Sequence, residues 1–294
     1  MFSKDQLRSI MEENLEIEPG VEYALFGSVP IRQPKKPMKY FDIRKLKLEE
    51  KPPTNTIISV INCDTAKAAY DLLEIKTPGS DEKYNPMILN FASDKRPGGG
   101  CYNGSMAQEE SLFYRSLYHL SLPQNMYPLK AFEAIYSPDV AFIRDLEYKI
   151  IPPKYISCLA IPAIRHPQFP DHTNTKQIYS AADRETMTAK IEAVFKIAAE
   201  YKHDALVLGA FGCGVFRNPP EEVANIFDGA IKKYGGHFKK IVFAILDRSP
   251  KRATSPEDLN RSPKRATSPE DLNRSGKNIE AFEKLKKSEV NKSS

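Results

Sequence analysis

Residues 96–111 read RPGGGCYNGSMAQEES, in which three glycines, a seven-residue spacer and the run Gln108-Glu109-Glu110 follow one another. Carboxyl groups act as proton donors and acceptors when their surroundings tune them: a helix N-terminus favours the charged form, and burial beside an apolar or anionic ligand favours the neutral one. Triple glycine loses much conformational entropy on folding and persists where backbone turns sharply or passes very close to another group. Together these features point to a ligand that carries an anionic group and a reacting bond. An isolated pair of acids in a first helical turn ordinarily sits on the surface and offsets the helix dipole. Adjacent helical side chains diverge by about 100°, so Glu109 and Glu110 cannot serve the same substrate atom. One suits a sugar hydroxyl and the other a bond being broken.

A second glycine-bearing loop, GAFGCGVF at residues 209–216, follows the apolar run ALVL. Loops at the carboxyl ends of strands share one rim in open α/β sheets, and their N–H groups form anion sites, so the two loops are expected to face each other and clasp a diphosphate. Taken alone GCG marks a tight turn, and neither loop fits the dinucleotide fingerprint or the P-loop with its lysine. Asp64, just past TIISVIN, has two compatible readings: an N-cap for the helix AKAAYDLL, and an acceptor for an adenine amino group.

The elements that must carry these residues alternate along the chain. A capping box from Ser3 to Gln6 opens a helix with Leu7, Ile10, Met11 and Leu15 on one face. A proline- and lysine-rich connection, residues 29–54, contains a short strand around Lys39 to Ile43. Strands are expected at 56–62 (TIISVIN), 87–92 (MILNFA), 155–164, 205–211 and 239–246. Helices are expected from Ala66, from Ser105 through SMAQEESLFYRSLYHL with a capping box to Gln108, along the Met187, Ile191, Val194, Phe195, Ala198 face, and from the prolines at 219 and 220. This alternation predicts one α/β unit over 1–294, three layers thick (α/β/α), with a mixed, largely parallel central sheet and an N-terminal helical extension. The 13 residues RSPKRATSPEDLN at 248–260 recur unchanged at 261–273, so 248–275 is expected to be a disordered, duplicated loop insertion.

With 41% apolar and 10% aromatic residues the composition is that of a folded globular chain, and the net charge of +5 is too dispersed to demand a polyanionic partner. No run is long and apolar enough for a membrane span, and the charged N-terminus lacks a secretory core, so an intracellular protein, cytoplasmic or nuclear, is expected. Cys63, Cys101, Cys158 and Cys213 lie far apart, without metal-ligand spacing, and read as free, mostly buried thiols.

GGG-x7-QEE, preceded by NFAS and complemented by GAFGCGVF, closely resembles the signature of the microbial-type poly(ADP-ribose) glycohydrolases, a branch of the macrodomain fold. The likeness extends from the first helix through DTAKAAYDLL to the closing NIEAF helix. It implies an enzyme that reverses ADP-ribosylation, as in responses to DNA damage, with Glu110 as the catalytic carboxylate and Glu109 holding a ribose hydroxyl or the leaving ribose. Gly98, Gly99 and Gly100 would approach the distal ribose and diphosphate. Gly209, Gly212, Cys213, Gly214 and Val215 would wrap the phosphates, with Phe216 near the distal ribose. Asp64 would meet the adenine, and Thr65, Asn90, Ser93 and Gln108 complete the ADP-ribose set. No metal or cofactor is implied. The implied substrate is poly(ADP-ribose) or ADP-ribosylated protein and the product ADP-ribose, with a monomer expected, no membrane partner, and direct nucleic-acid binding open. Hydrolysis of mono-ADP-ribose on protein or nucleic acid, or binding without turnover, are the alternatives.

Overall fold

A computed structural model describes residues 2–21, 30–169, 178–246 and 278–286, which form two compact units, Met1–Leu46 with Ala69–Pro162, and Lys47–Ala68 with Ala163–Ser294. The duplicated segment at 248–273 lies outside the described residues.

The first unit begins with helix α1 (Lys4–Leu15), whose Ser3–Gln6 capping box is formed in both directions and whose inner face buries Leu7, Ile10, Met11 and Asn14. Its strands are β1 (Met38–Tyr40), β3 (Pro86–Phe91), β4 (Ala134–Arg144) and β5 (Ile150–Ile161), ordered β1-β4-β5-β3. Strands β3 and β5 run parallel, while β4 is antiparallel to both β5 and β1. β4 is not among the strands expected from the sequence, and Pro138 at its centre cannot donate to a strand ladder. The register instead shifts between Ser137 and Val140, with Asp139 at φ 50°, so a bulge absorbs the proline without ending the strand. The strand expected around Lys39 to Ile43 is shorter, and Ile43 starts a 3-10 turn capped by Asp42.

In the second unit β2 (Ile57–Ile61), β6 (Ala205–Leu208) and β7 (Lys240–Ala244) are all parallel, with β7 in the middle. Asp64 precedes helix α2 (Thr65–Glu74). Helix α5 (Ala181–Glu200) packs on α6 (Pro220–Tyr234), and Met187, Ile191, Val194, Phe195 and Ala198 are all buried. Phe227, Phe243 and Phe282 pack as tilted and edge-on rings 5.2–6.1 Å apart, which anchors the closing helical residues from 278 onward.

Between β3 and β4, residues 108–121 form two helices, α3 (Gln108–Arg115) and α4 (Tyr118–Ser121), where the sequence reading had one. Ser116, in extended conformation, breaks the run and bridges to Phe142 of β4.

Candidate active site

Helix α3 carries the acid pair, and its start is pinned to β3 by Gln108. The Gln108 amide pairs as a strand residue would: Nε2 donates to the Leu89 carbonyl at 2.8 Å, and Oε1 accepts from the Phe91 N–H at 2.9 Å. That use of Gln108 replaces the expected Ser105–Gln108 capping box. The N-cap is Ala107, and the box is closed by Glu110, whose Oε2 accepts from the Ala107 N–H at 3.0 Å.

Glu109 is 4% exposed and Glu110 9%, so neither is the solvated dipole-balancing acid of an ordinary first turn. Their carboxyls diverge as helical neighbours must. Oε2 of Glu109 accepts from the Ser93 N–H at 2.7 Å, while Oε1 accepts from the Gly98 N–H at 3.2 Å and from Asn90 Nδ2 at 3.3 Å. Burial pushes the Glu109 carboxyl up to about 8, against the pull of the Ser93 N–H and with help from the neighbouring Glu110 charge. Glu110 accepts from the Gly100 N–H at 2.9 Å through Oε1 and from Ala107 through Oε2, one bond per oxygen, so each oxygen keeps a second acceptor position. Cys101, buried beside both acids, has its thiol pushed up to about 12, chiefly by burial and further by Glu109 and Glu110 once they are ionised, and stays protonated.

The glycines of this loop are dictated by close packing, Gly99 against the acids and its two neighbours against Phe113 and Ser105. Gly98 and Gly99 have φ of 70° and 55°, in the left-handed region. A Cβ on Gly99 would lie 2.6 Å from Glu110 Oε1 and 3.1 Å from Glu109 Oε2; on Gly98 it would meet the Phe113 ring at 2.7 Å; on Gly100 it would strike Ser105 Oγ. Any side chain would therefore push the loop off the carboxylates whose charge its N–H groups hold.

Asn90 sits on β3, opposite Ala160 of β5, and is fully buried. The hydroxyls of Tyr118 and Tyr127 are also buried, that of Tyr118 beside the Asn90 amide, and burial together with the Glu109 charge holds both phenols above their ordinary range. Sequence reasoning missed these tyrosines, which lie in stretches with no motif.

In the second unit, Asp64 is an N-cap: Oδ1 accepts from Ala66 N–H at 2.8 Å and Lys67 N–H at 3.4 Å, with the Asp64 carbonyl taking the Ala68 N–H; Thr65 is buried directly behind it. The strand expected through Phe211 stops at Leu208, and Gly209–Phe216 is a loop of successive tight turns. Gly212, at φ 73°, leaves no room for a Cβ, which would sit 2.5 Å from Ala163 and from the Asn218 amide. Asn218 locks the loop through Gly212 O, Ile164 O and the Tyr179 hydroxyl. Cys213 is buried, Gly214 faces open space, Val215 is 71% exposed, and Phe216 lies 4.1 Å beneath the Arg165 guanidinium. None of the four cysteines is in a disulfide and three of them are buried, as expected.

Among the described residues no group of His, Cys, Asp and Glu is arranged to hold a metal, and no helix is long and apolar enough to cross a membrane.

Residues 5–145 match the family model of the microbial-type PARG catalytic domain. No curated protein matches the chain. Among solved structures, the poly(ADP-ribose) glycohydrolase of Thermomonospora curvata aligns over 96% of this chain and 99% of its own with TM-score 0.68 at 24% identity. Its complex with the inhibitor ADP-HPD aligns over 95% and 99% with TM-score 0.64, also at 24% identity. The poly(ADP-ribose) glycohydrolase of Deinococcus radiodurans bound to ADP-ribose aligns over 98% and 93% with TM-score 0.57 at 25% identity. The mixed, mostly parallel, macrodomain-like α/β fold expected from the sequence is the fold shared with these structures.

Proposed function

We propose that this chain, of which residues 5–145 match the family model of the microbial-type PARG catalytic domain, is a glycoside hydrolase that cleaves ribose–ribose O-glycosidic bonds of poly(ADP-ribose) and releases ADP-ribose. The observation that carries the reading is the acid pair itself, buried and held by a glycine loop through backbone N–H groups. Cleaving such a bond passes through an oxocarbenium-like state, whose leaving oxygen needs a proton and whose cation needs negative charge close by.

Glu110 is the better placed acid and base, since each of its oxygens retains an acceptor position. Glu109 has both acceptor positions on Oε1 occupied. Held neutral near pH 7, Glu109 presents a hydroxyl-like partner for a ribose oxygen without placing a second charge beside Glu110. An arriving diphosphate favours proton uptake by carboxyls beside it. In this scheme Glu110 protonates the leaving oxygen, the substrate's diphosphate steadies the cation, and Glu110 then activates water. Gly98, Gly99, Gly100, Asn90, Ser93 and Gln108 shape the ribose end. For the second unit the reading assigns the adenine to Asp64 and Thr65, the phosphates to Gly209, Gly212, Cys213, Gly214 and Val215, and the distal ribose to Phe216.

The purified protein incubated side by side with automodified polymer, mono-ADP-ribosylated protein and ADP-ribosylated DNA tests the proposal by product analysis. Free ADP-ribose from the polymer is expected. Release only from the mono-modified substrates, or ADP-ribose binding with no release from any of them, would overturn it.

A further inference from the structure

Helix α1 holds a polar residue on its buried face. Leu7, Ile10 and Met11 are buried as its spacing predicts, and Asn14, on the same face, is 0% exposed. Its Nδ2 donates to the carbonyls of Phe113 at 3.2 Å and Tyr114 at 3.0 Å, at the end of the helix that bears the acids. The orientation of the amide is fixed from behind, because Arg144 Nε donates to Asn14 Oδ1 at 2.8 Å. Arg144 is held in turn by the Tyr148 carbonyl at 2.9 Å and by Glu13 at 2.8 Å.

From Tyr114 the chain of contacts continues. Its buried hydroxyl donates to the Ser105 carbonyl at 2.6 Å and shares that hydrogen with the Cys101 carbonyl at 3.0 Å, so α3 grips the glycine loop on both sides of Gly104. That loop supplies the N–H groups of Gly98 and Gly100 to Glu109 and Glu110. A second contact comes from the other end of α1: a Cβ on Gly104, at φ 68°, would lie 2.5 Å from the Lys4 carbonyl, so the loop rests directly on the first turn of the helix.

From this closed circuit we infer that Asn14 and Tyr114 are positioning residues for the acid pair, with α1 as a strut that clamps helix α3 and the glycine loop together. The inference rests on the reading of Glu110 as the catalytic carboxylate. Neither residue is hydrogen-bonded to the carboxylates; Asn14 is bonded to backbone of the helix that bears them, and Tyr114 to backbone of the loop that is. A displacement of about 1 Å between a catalytic group and its substrate costs on the order of 10²-fold in rate, so a modest slackening of this circuit has a measurable effect.

Tyr114→Phe and Asn14→Leu, singly and combined, test it in the full chain. Each single change is expected to lower kcat on polymer by about tenfold, with ADP-ribose affinity within a few-fold of wild type and cooperative melting kept. The double variant is expected to be no slower than the worse single one, because both interrupt one circuit. Wild-type kcat in folded Tyr114→Phe would overturn the inference, as would fully additive losses. Should Asn14→Leu fail to fold, Tyr114→Phe decides alone. Carbon-13 titration of the Glu109 and Glu110 carboxyls in the ligand-free protein gives a readout independent of substrate: their midpoints are expected to move in Tyr114→Phe, and unmoved midpoints would overturn the strut. A wild type that releases no ADP-ribose would defeat the hydrolase reading and leave the carboxyl titration to judge this one.

Discussion

The α-carbon of Gly99 passes so close to Glu110 that a methyl group on it would lie 2.6 Å from the carboxylate Oε1. Contact at that distance is unavailable to any real side chain, so the glycine and the acid specify each other. The glycine run is thus explained within the protein, by the packing of Gly99 onto Glu109 and Glu110, of Gly98 onto Phe113 and of Gly100 onto Ser105, and by the left-handed φ of Gly98 and Gly99.

Gly99→Ala should therefore displace the acid pair even before a ligand is present. Backbone strain and displacement of the carboxylate together cost about 1–3 kcal/mol, read as a lower melting temperature, and turnover should fall by at least about 10². Melting and turnover measured on one preparation check this; an unchanged rate would show that the acids do not depend on the loop.

Gly214→Ala is the complementary case. A Cβ there meets nothing within 4 Å, so stability should stay within about 0.5 kcal/mol of wild type. If this loop's backbone lies against phosphate, as proposed, calorimetric titration should show ADP-ribose affinity weakened by at least about fivefold. Wild-type affinity would remove Gly214 from the binding set.

Glu110→Gln removes the transferable proton and sets an NH2 group against the N–H of Gly100 or Ala107. Turnover should fall by at least about 10², with ADP-ribose affinity within a few-fold of wild type. The unpaired donor should cost about 1–3 kcal/mol of stability. Rapid hydrolysis by this variant would reassign the chemistry, with Glu109 the next candidate.

Glu109 gives the pH dependence its sign. Its carboxyl titrates near 4.5 in an unfolded chain and near 8 in the fold, so between those values the unfolded state has lost a proton that the native state keeps. Its contribution to stability is full below about pH 4.5, declines as pH rises, and is gone above about pH 8. The total is on the order of a few kcal/mol. Glu109→Gln should flatten the fall in denaturation midpoint between pH 5 and pH 8; an equal fall in the variant would place the titration elsewhere.

Asp64 separates capping from recognition. Asp64→Asn keeps an N-cap acceptor and should leave stability nearly unchanged, whereas Asp64→Ala should cost about 1 kcal/mol. If the carboxylate meets the adenine, both variants should bind ADP-ribose several-fold more weakly. Wild-type binding by Asp64→Asn would leave Asp64 a cap alone.

Local chemistry made much of this legible from sequence. Ser3 and Gln6 form the capping box their spacing predicts, Asp64 caps its helix, and the apolar runs at Met87 and Ala205 are buried strands. The acids and glycines were legible as a unit because their spacing in GGG-x7-QEE is itself the motif. Each of these signals is carried by residues within a turn or two of one another.

Partners distant in sequence were decided only by the tertiary structure. That Glu109 and Glu110 are buried follows from packing α3 on β3, which also turns Gln108 from a cap into a surrogate strand residue. Strand β4 survives its proline because antiparallel pairing with β5 tolerates a bulge, a stabilisation absent from the local stretch. Asn14 finds its partner at Tyr114, 100 residues away. Local propensity and spacing report only on short-range backbone preferences. The desolvation that sets the Glu109 proton affinity, and the contacts that hold its loop, exist only once remote segments have closed around it.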